Sequence, residues 1–177
     1  MQKLKNAELA RISVEEYKNS HKIPIILMLD NVRSMNNIGS AFRTADAFLV
    51  SEILLVGITA QPPHREINKT ALGATESVPW KYFAEPAAAI TYLTEKNYQL
   101  LAIEQAHESI MLSKFTPHAE TKYALVFGNE VNGVSDEVMG KIDYCIEIPQ
   151  KGSKHSLNIS VSIGIVLWDF ANKLTLF

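Results

Sequence analysis

The chain has 177 residues, of which 47% are apolar, 20% charged and 8% aromatic, and its formal net charge is -2. That length fits one domain of ordinary size, and that composition excludes a disordered or fibrous chain. A protein that grips nucleic acid by overall charge is basic, so any such partner here has to be held by a local patch.

Residues 1–20 carry Leu4, Leu9, Ile12 and Tyr17 three to five positions apart among polar residues. This predicts an amphipathic helical arm over 1–20 in front of a domain over 21–177. Pro24 leads into Ile25-Ile26-Leu27-Met28-Leu29, a short, non-alternating apolar run that reads as a strand buried on both faces. Residues 30–34 read as loop, and Asn36 or Asn37 is placed to cap a helix reaching Phe48. A second strand follows over 52–57. Pro62-Pro63 is loop, and 68–73 is a short helical or irregular piece. Residues 80–83 read as a strand, and Pro86 as the first residue of a helix to Lys96. Strands over 99–103 and 123–127, a short helix over 134–141 and a strand over 144–148 closed by Pro149 complete the middle of the chain. From Ser156 to Lys173 the apolar residues Leu157, Val161, Ile165 and Trp168 recur at helical spacing, with Ser156 opening the helix. Buried strands alternating with helices predict an α/β fold, a mostly parallel sheet flanked by helices. Ligands of such sheets bind beyond the carboxyl ends of the strands.

The single cysteine, Cys145, excludes an internal disulfide and a cysteine-cluster metal site and suits a reducing cytoplasm. In mid-strand it reads as a small buried hydrophobe. The polar N-terminal segment lacks the apolar core of a signal peptide, and no apolar run approaches the roughly 20 residues of a membrane helix. A cytoplasmic protein with no membrane partner is the expectation. The histidines show no H-x-x-x-H spacing, so no metal is expected.

Three polar clusters sit where strands end. The first is Asn37-x-Gly39-x-x-x-Arg43. The step from Asn37 to Arg43 is nearly two helical turns, which predicts one shared face. Gly39 admits a ligand or another backbone, and the helix N-terminus offers N–H groups to an anion. A plain helix cap with a surface ion pair explains the same residues. The second is Gly128-Asn129-Glu130-Val131-Asn132-Gly133, a tight turn presenting Glu130 at the sheet edge, or an ordinary glycine turn. It matches neither the dinucleotide fingerprint nor the P-loop. The third is Ile148-Pro149-Gln150-Lys151-Gly152-Ser153-Lys154-His155-Ser156-Leu157-Asn158, a basic glycine loop running into a helix.

In this order the three clusters resemble the SpoU (TrmH-type) family of RNA 2′-O-ribose methyltransferases, in the SPOUT superfamily, over about residues 23–173. Gln150 and Ser162 depart from residues frequent in the family. The resemblance implies S-adenosyl-L-methionine as methyl donor, a homodimer and a deep C-terminal trefoil knot. It further implies that Gly128, Ile148 and Leu157, with Glu104, Ala106 and Asn129 alongside, bind the cofactor. Asn37, Arg43, Glu130, Ser156 and Asn158 become the catalytic set. Arg43 activates the ribose hydroxyl, or clamps a phosphate, since a free arginine with a pKa above about 12 is a poor base. Glu130 holds the motif loops and pairs with Arg43, and Ser156 and Asn158 fix the knot loop by hydrogen bonds.

RNA, tRNA rather than rRNA, is the expected partner, because a bare core offers little surface to a large rRNA fold. Arg33, Arg65, Lys69, Lys151, Lys154 and His155, with His64, form the local patch. A catalytically silent RNA-binding module and a small α/β protein binding another nucleotide are the competing readings.

Overall fold

The structure is a computed structural model that describes residues 2–5, 8–9 and 11–175. Helix α1 (Val14–Asn19) starts where a capping box places it. The Ser13 hydroxyl accepts the Glu16 N–H at 3.2 Å, and the Glu16 carboxylate accepts the Ser13 N–H at 2.7 Å. The expected helix over 1–20 is therefore confined to its last third. The described residues before Ser13 form no α-helix, and Met1, Asn6, Ala7 and Ala10 lie outside the described residues. Of the expected apolar stripe only Tyr17 is buried, with its hydroxyl donating to the Val50 carbonyl at 3.1 Å; Leu4, Leu9 and Ile12 are exposed.

The strands are β1 (Ile23–Asp30), β2 (Val50–Val56), β3 (Trp80–Phe83), β4 (Tyr98–Ile103), β5 (Ile110–Met111), β6 (Lys122–Phe127) and β7 (Tyr144–Glu147). They form one sheet in the order β3-β2-β1-β6-β4-β7-β5, and every neighbouring pair is parallel. Between them run α2 (Met35–Ala47), α3 (Arg65–Ala71), α4 (Ala74–Ser77), α5 (Pro86–Glu95) and α6 (Asp136–Met139), and α7 (Ile159–Lys173) closes the chain.

The sheet is covered on both faces, which is why β1 has a continuous apolar run. Ile25, Leu27 and Leu29 of β1, with Tyr123, Leu125 and Phe127 of β6, pack against Ile38 and Phe42 of α2 and Ile163, Leu167 and Phe170 of α7. Ile26 and Met28, with Ala124 and Val126, face Ala89 and Leu93 of α5 and Val138 of α6 on the opposite side. Successive strand residues thus serve different cores.

Helix starts differ from expectation by a few residues. Ser34, and neither Asn36 nor Asn37, caps α2, its hydroxyl accepting the Asn37 N–H at 3.3 Å. Asn158, and not Ser156, caps α7, its side-chain oxygen accepting the Ser160 N–H at 2.9 Å. Both residues are short acceptors one step before the first helical residue, the position that serine and asparagine favour. The irregular piece at 68–73 resolves into α3 and α4, joined by left-handed residues at Leu72 (φ 49°) and Gly73 (φ 91°). The two-residue strand β5 is too short to show any periodicity in sequence.

Gly39 admits another backbone rather than a ligand. A methyl group there would collide with the Ile67 carbonyl and the Thr70 hydroxyl, so the glycine sets how closely α3 lies on α2. Thr70 reinforces the contact by donating to the Asn36 carbonyl at 3.0 Å. Gly39→Ala should destabilise the fold by about 1–3 kcal/mol, the usual cost of overpacking. Urea unfolding followed by tryptophan fluorescence measures it; an unchanged midpoint would show that α3 can move away freely.

Candidate functional site

The carboxyl ends of β4, β6 and β7 open into a cavity of about 740 Å³. Each wall is a loop that follows a strand. Ile103, Glu104, Gln105 and Ala106 come from the end of β4, Phe127 to Val134 from the end of β6, and Ile148, Gln150 and His155 to Ile159 from the segment between β7 and α7. The size is that of a small-molecule site.

Glu130 ties the rim together. Its carboxylate accepts the N–H groups of Arg33 and Ser34, each at 3.0 Å, and the Asn37 side-chain amide at 3.1 Å. The oxygen of that same Asn37 amide accepts from the Asn158 amide at 3.2 Å. One chain of hydrogen bonds therefore joins the turn after β6, the start of α2 and the cap of α7. The anion expected at the α2 N-terminus is this internal carboxylate. Partial burial pushes the Glu130 pKa up, but the N–H groups of Arg33 and Ser34 and the Asn37 amide outweigh it and hold the group below the ordinary carboxylate value.

The turn bearing Glu130 is stiff. Asn129 and Gly133 exchange backbone hydrogen bonds at 2.8 and 2.9 Å, and the Asn129 side chain accepts from the N–H groups of Val131 and Asn132 while donating to the Asn31 carbonyl at 2.8 Å. Gly128 leaves no room for a Cβ beside the Gly133–Val134 backbone. Gly133 has φ +70°, and the Glu104 carboxylate fills the space in front of it. Glu104 in turn accepts the N–H groups of Gln105 at 2.8 Å and Val134 at 3.2 Å. Two carboxylates bonded to main-chain N–H groups, Glu130 and Glu104, thus brace the pocket lining.

A third carboxylate, outside the cavity lining, does the same. Asp30, fully buried at the end of β1, accepts the Ser135 N–H at 2.8 Å and the Asn31 amide at 2.8 Å. Sequence reasoning passed over Asp30, although an acid that ends an otherwise apolar strand is a recognisable signal. It also passed over Gln105 as an individual residue.

Of the expected site residues, Gly128, Asn129, Glu130, Ile148, Leu157, Glu104, Ala106, Ser156, Asn158 and His155 line the cavity, and Asn37 is bonded to its rim. Ser156 makes no hydrogen bond among the described residues, so it does not fix the loop as expected; it faces the cavity. Arg43 is not brought there. It is exposed on the other side of α2 and borders a second cavity of about 330 Å³ with Ser13, Tyr17, Asp46 and Ala74. The expected shared face with Asn37 fails on helical arithmetic, since six steps of about 100° leave the two side chains about 120° apart. Nor does Arg43 pair with Glu130, whose oxygens are engaged elsewhere.

Among the basic residues, Arg33 sits in the loop beside Glu130, and Lys151 and Lys154 are exposed on the third loop. Arg65 and Lys69 are exposed on α3, Arg65 loosely paired with Glu66 at 4.0 Å. Cys145 is half-buried, not fully buried. No group of three or more His, Cys, Asp or Glu among the described residues could hold a metal ion, and no described helix is long and apolar enough to cross a membrane.

Residues 24–168, which contain all three clusters and the whole cavity lining, match the model of the SpoU rRNA Methylase family. The chain belongs to that family. A 23S rRNA (guanosine-2′-O-)-methyltransferase of Vibrio cholerae is 30% identical over 163 residues, covering 92% of this chain and 64% of that protein. The Escherichia coli (strain K12) protein of the same name is 33% identical over 147 residues, covering 82% and 59%. The chain therefore spans less than two thirds of the length of these relatives. Among solved structures, an AdoMet-bound rRNA methyltransferase from Sinorhizobium meliloti superposes with a TM-score of 0.79 at 28% identity, covering 88% of this chain and 59% of that one.

The Glu130 network gives an acid dependence of definite sign. A carboxyl group whose pKa is lowered on folding contributes stability that is complete above its unfolded value and is lost as pH falls through the folded one. Glu130→Gln should unfold at lower urea than the wild type at neutral pH, and the gap should close as pH drops below 4.5. A gap that persists undiminished in acid would show that the hydrogen bonds do not depend on the charge.

Proposed function

We propose that this SpoU-family chain is an S-adenosyl-L-methionine-dependent methyltransferase acting on a ribose 2′-hydroxyl of RNA. The observation that carries the reading is the hydrogen-bond chain Glu130–Asn37–Asn158, which assembles the three motifs around one cavity beyond the strand ends. The cavity suits the cofactor. Ile148, Leu157, Ile103 and Phe127 offer apolar cover for an adenine. The main-chain groups of residues 149–157 remain available to its polar edge, because among the described residues only the His155 carbonyl is engaged. The bound cofactor supplies an electrophilic methyl group. The protein has to align the ribose oxygen with it, hold the neighbouring phosphate and exclude water.

The similar proteins named as 23S rRNA methyltransferases make rRNA the first substrate to test, in place of the tRNA expected from sequence. Arg33, Lys151, Lys154 and His155, the last of which lines the cavity, are assigned as phosphate contacts, together with Arg65 and Lys69 on α3. We assign residues 1–20 to an arm and 21–177 to the catalytic domain, in a cytoplasmic protein that needs no metal. A C-terminal trefoil knot is part of this reading. It follows from the resemblance of the three motifs, since the strand order alone does not require threading.

A homodimer completes the site. Val161, Ile165 and Trp168 form an exposed apolar stripe on α7, while Leu174 at its end is buried. Arg43 sits on the exposed side of α2, outside the cavity of its own chain. In this reading the partner's cavity receives Arg43 of the first protomer, whose guanidinium clamps the substrate phosphate.

S-adenosylhomocysteine should bind in calorimetry, and methylation of 23S rRNA from cells lacking the gene should proceed in EDTA; no binding and no methylation would refute the activity. Arg43→Ala and Arg43→Lys should each lose on the order of 10²-fold in rate while keeping cofactor affinity. Asn158→Ala should weaken cofactor binding. Mixed and reannealed, the Arg43→Ala and Asn158→Ala proteins should regain activity, because a mixed dimer holds one intact site. No regain, with mixed dimers present by mass spectrometry, would place Arg43 in its own chain's site.

A further inference from the structure

The loop over residues 149–157 is the least secured wall of the cavity. Its ends are fixed. The Glu147 carbonyl accepts the Leu112 N–H at 2.8 Å, and Asn158 caps α7 while bonding Asn37. Between them, every residue from Lys151 to Leu157 is exposed, and Gly152 has open space where a side chain would be. One hydrogen bond holds this stretch among the described residues. The Gln105 side-chain amide donates to the His155 carbonyl at 2.7 Å. Gln105 itself stands on a firm base, since its N–H is bound by Glu104, whose other oxygen binds Val134.

We propose that Gln105 is a positioning residue that latches the loop over residues 149–157 across the mouth of the cofactor cavity. The inference rests on the reading of that cavity as the S-adenosyl-L-methionine site. Gln150, His155, Ser156 and Leu157 reach the cavity from this loop, so releasing the latch removes one wall. It also frees the segment that carries Lys151 and Lys154. A flexible segment of this length gains much backbone entropy on opening, and one neutral hydrogen bond offsets that only in part. The latch therefore biases an open–closed equilibrium by roughly three- to tenfold rather than fixing it. The loop stays able to open for cofactor exchange. Glutamine suits the task because the acceptor is a carbonyl: the residue must donate and must not carry negative charge.

The test uses the full chain with Gln105→Met, which keeps the length and loses the donor, and Gln105→Glu, which keeps the shape and faces the carbonyl with a charge. Trypsin cleavage after Lys151 and Lys154 reports the open loop without any ligand. Cleavage there should quicken by roughly threefold or more in Gln105→Met, and further in Gln105→Glu, at unchanged melting temperature. The dissociation constant for S-adenosylhomocysteine should rise in the same order and by similar factors. Unchanged cleavage at both lysines in both variants would overturn the latch. Quickened cleavage with no S-adenosylhomocysteine binding by the wild type would uphold the latch and refute the cofactor assignment.

Discussion

The carboxylate of Glu130 is the constraint on which the arrangement depends. A turn after one strand and a helix start after another have no reason of their own to keep a fixed separation. Glu130 imposes one by accepting from the main chain of Arg33 and Ser34 and from the side chain of Asn37. Two of these donors are main-chain groups, so the carboxylate fixes a stretch of backbone and not merely another flexible side chain. Asn37 carries the constraint to α7 by using its donor on one neighbour and its acceptor on the other. Asp30 and Glu104 repeat the device, each reaching from the end of a different strand to a main-chain N–H in the segment after β6. Loops that would otherwise be the softest part of an α/β protein become a frame.

The glycines of the motifs follow from this frame. Gly128 and Gly133 lie where one backbone or a carboxylate passes too close for a Cβ, and Gly39 lies where α3 crosses α2. Their space is taken by the protein itself. What remains open to a ligand is the region enclosed by Ile103, Phe127, Ile148 and Leu157, apolar on its faces and edged by main-chain groups.

Much of this was legible in the sequence, for identifiable reasons. The runs at 25–29 and 123–127 are apolar without alternation because both sheet faces are covered, and that pattern survives in any context. The loops that carry the site could be named because parallel strands all present their carboxyl ends on one edge. Cap positions were less accessible, since Ser34, Asn36, Asn37, Ser156 and Asn158 all qualify chemically and only the packing selects among them. The position of Arg43 was misjudged because six residues resemble two turns until the angle is worked out. Gln105, Asp30 and the bonds of Glu130 to Arg33 and Ser34 depend on residues roughly 50 to 105 apart in sequence, a distance over which local patterns carry no information.

The strand order has a consequence for how the chain acquires its shape. Strands β1, β2 and β3 are neighbours in sequence as well as in the sheet, so this half can pair as soon as residues 23–83 have been synthesised. Strand β4 cannot, because both of its neighbours, β6 and β7, are encoded after it. Until residues 122–127 emerge, β1 keeps an open apolar edge and β4 has no partner. Joining the halves then requires closing loops of dozens of residues, which topology makes slow. The nascent protein passes through an interval in which two unpaired strand edges are exposed together, the condition under which chains associate with one another instead of folding.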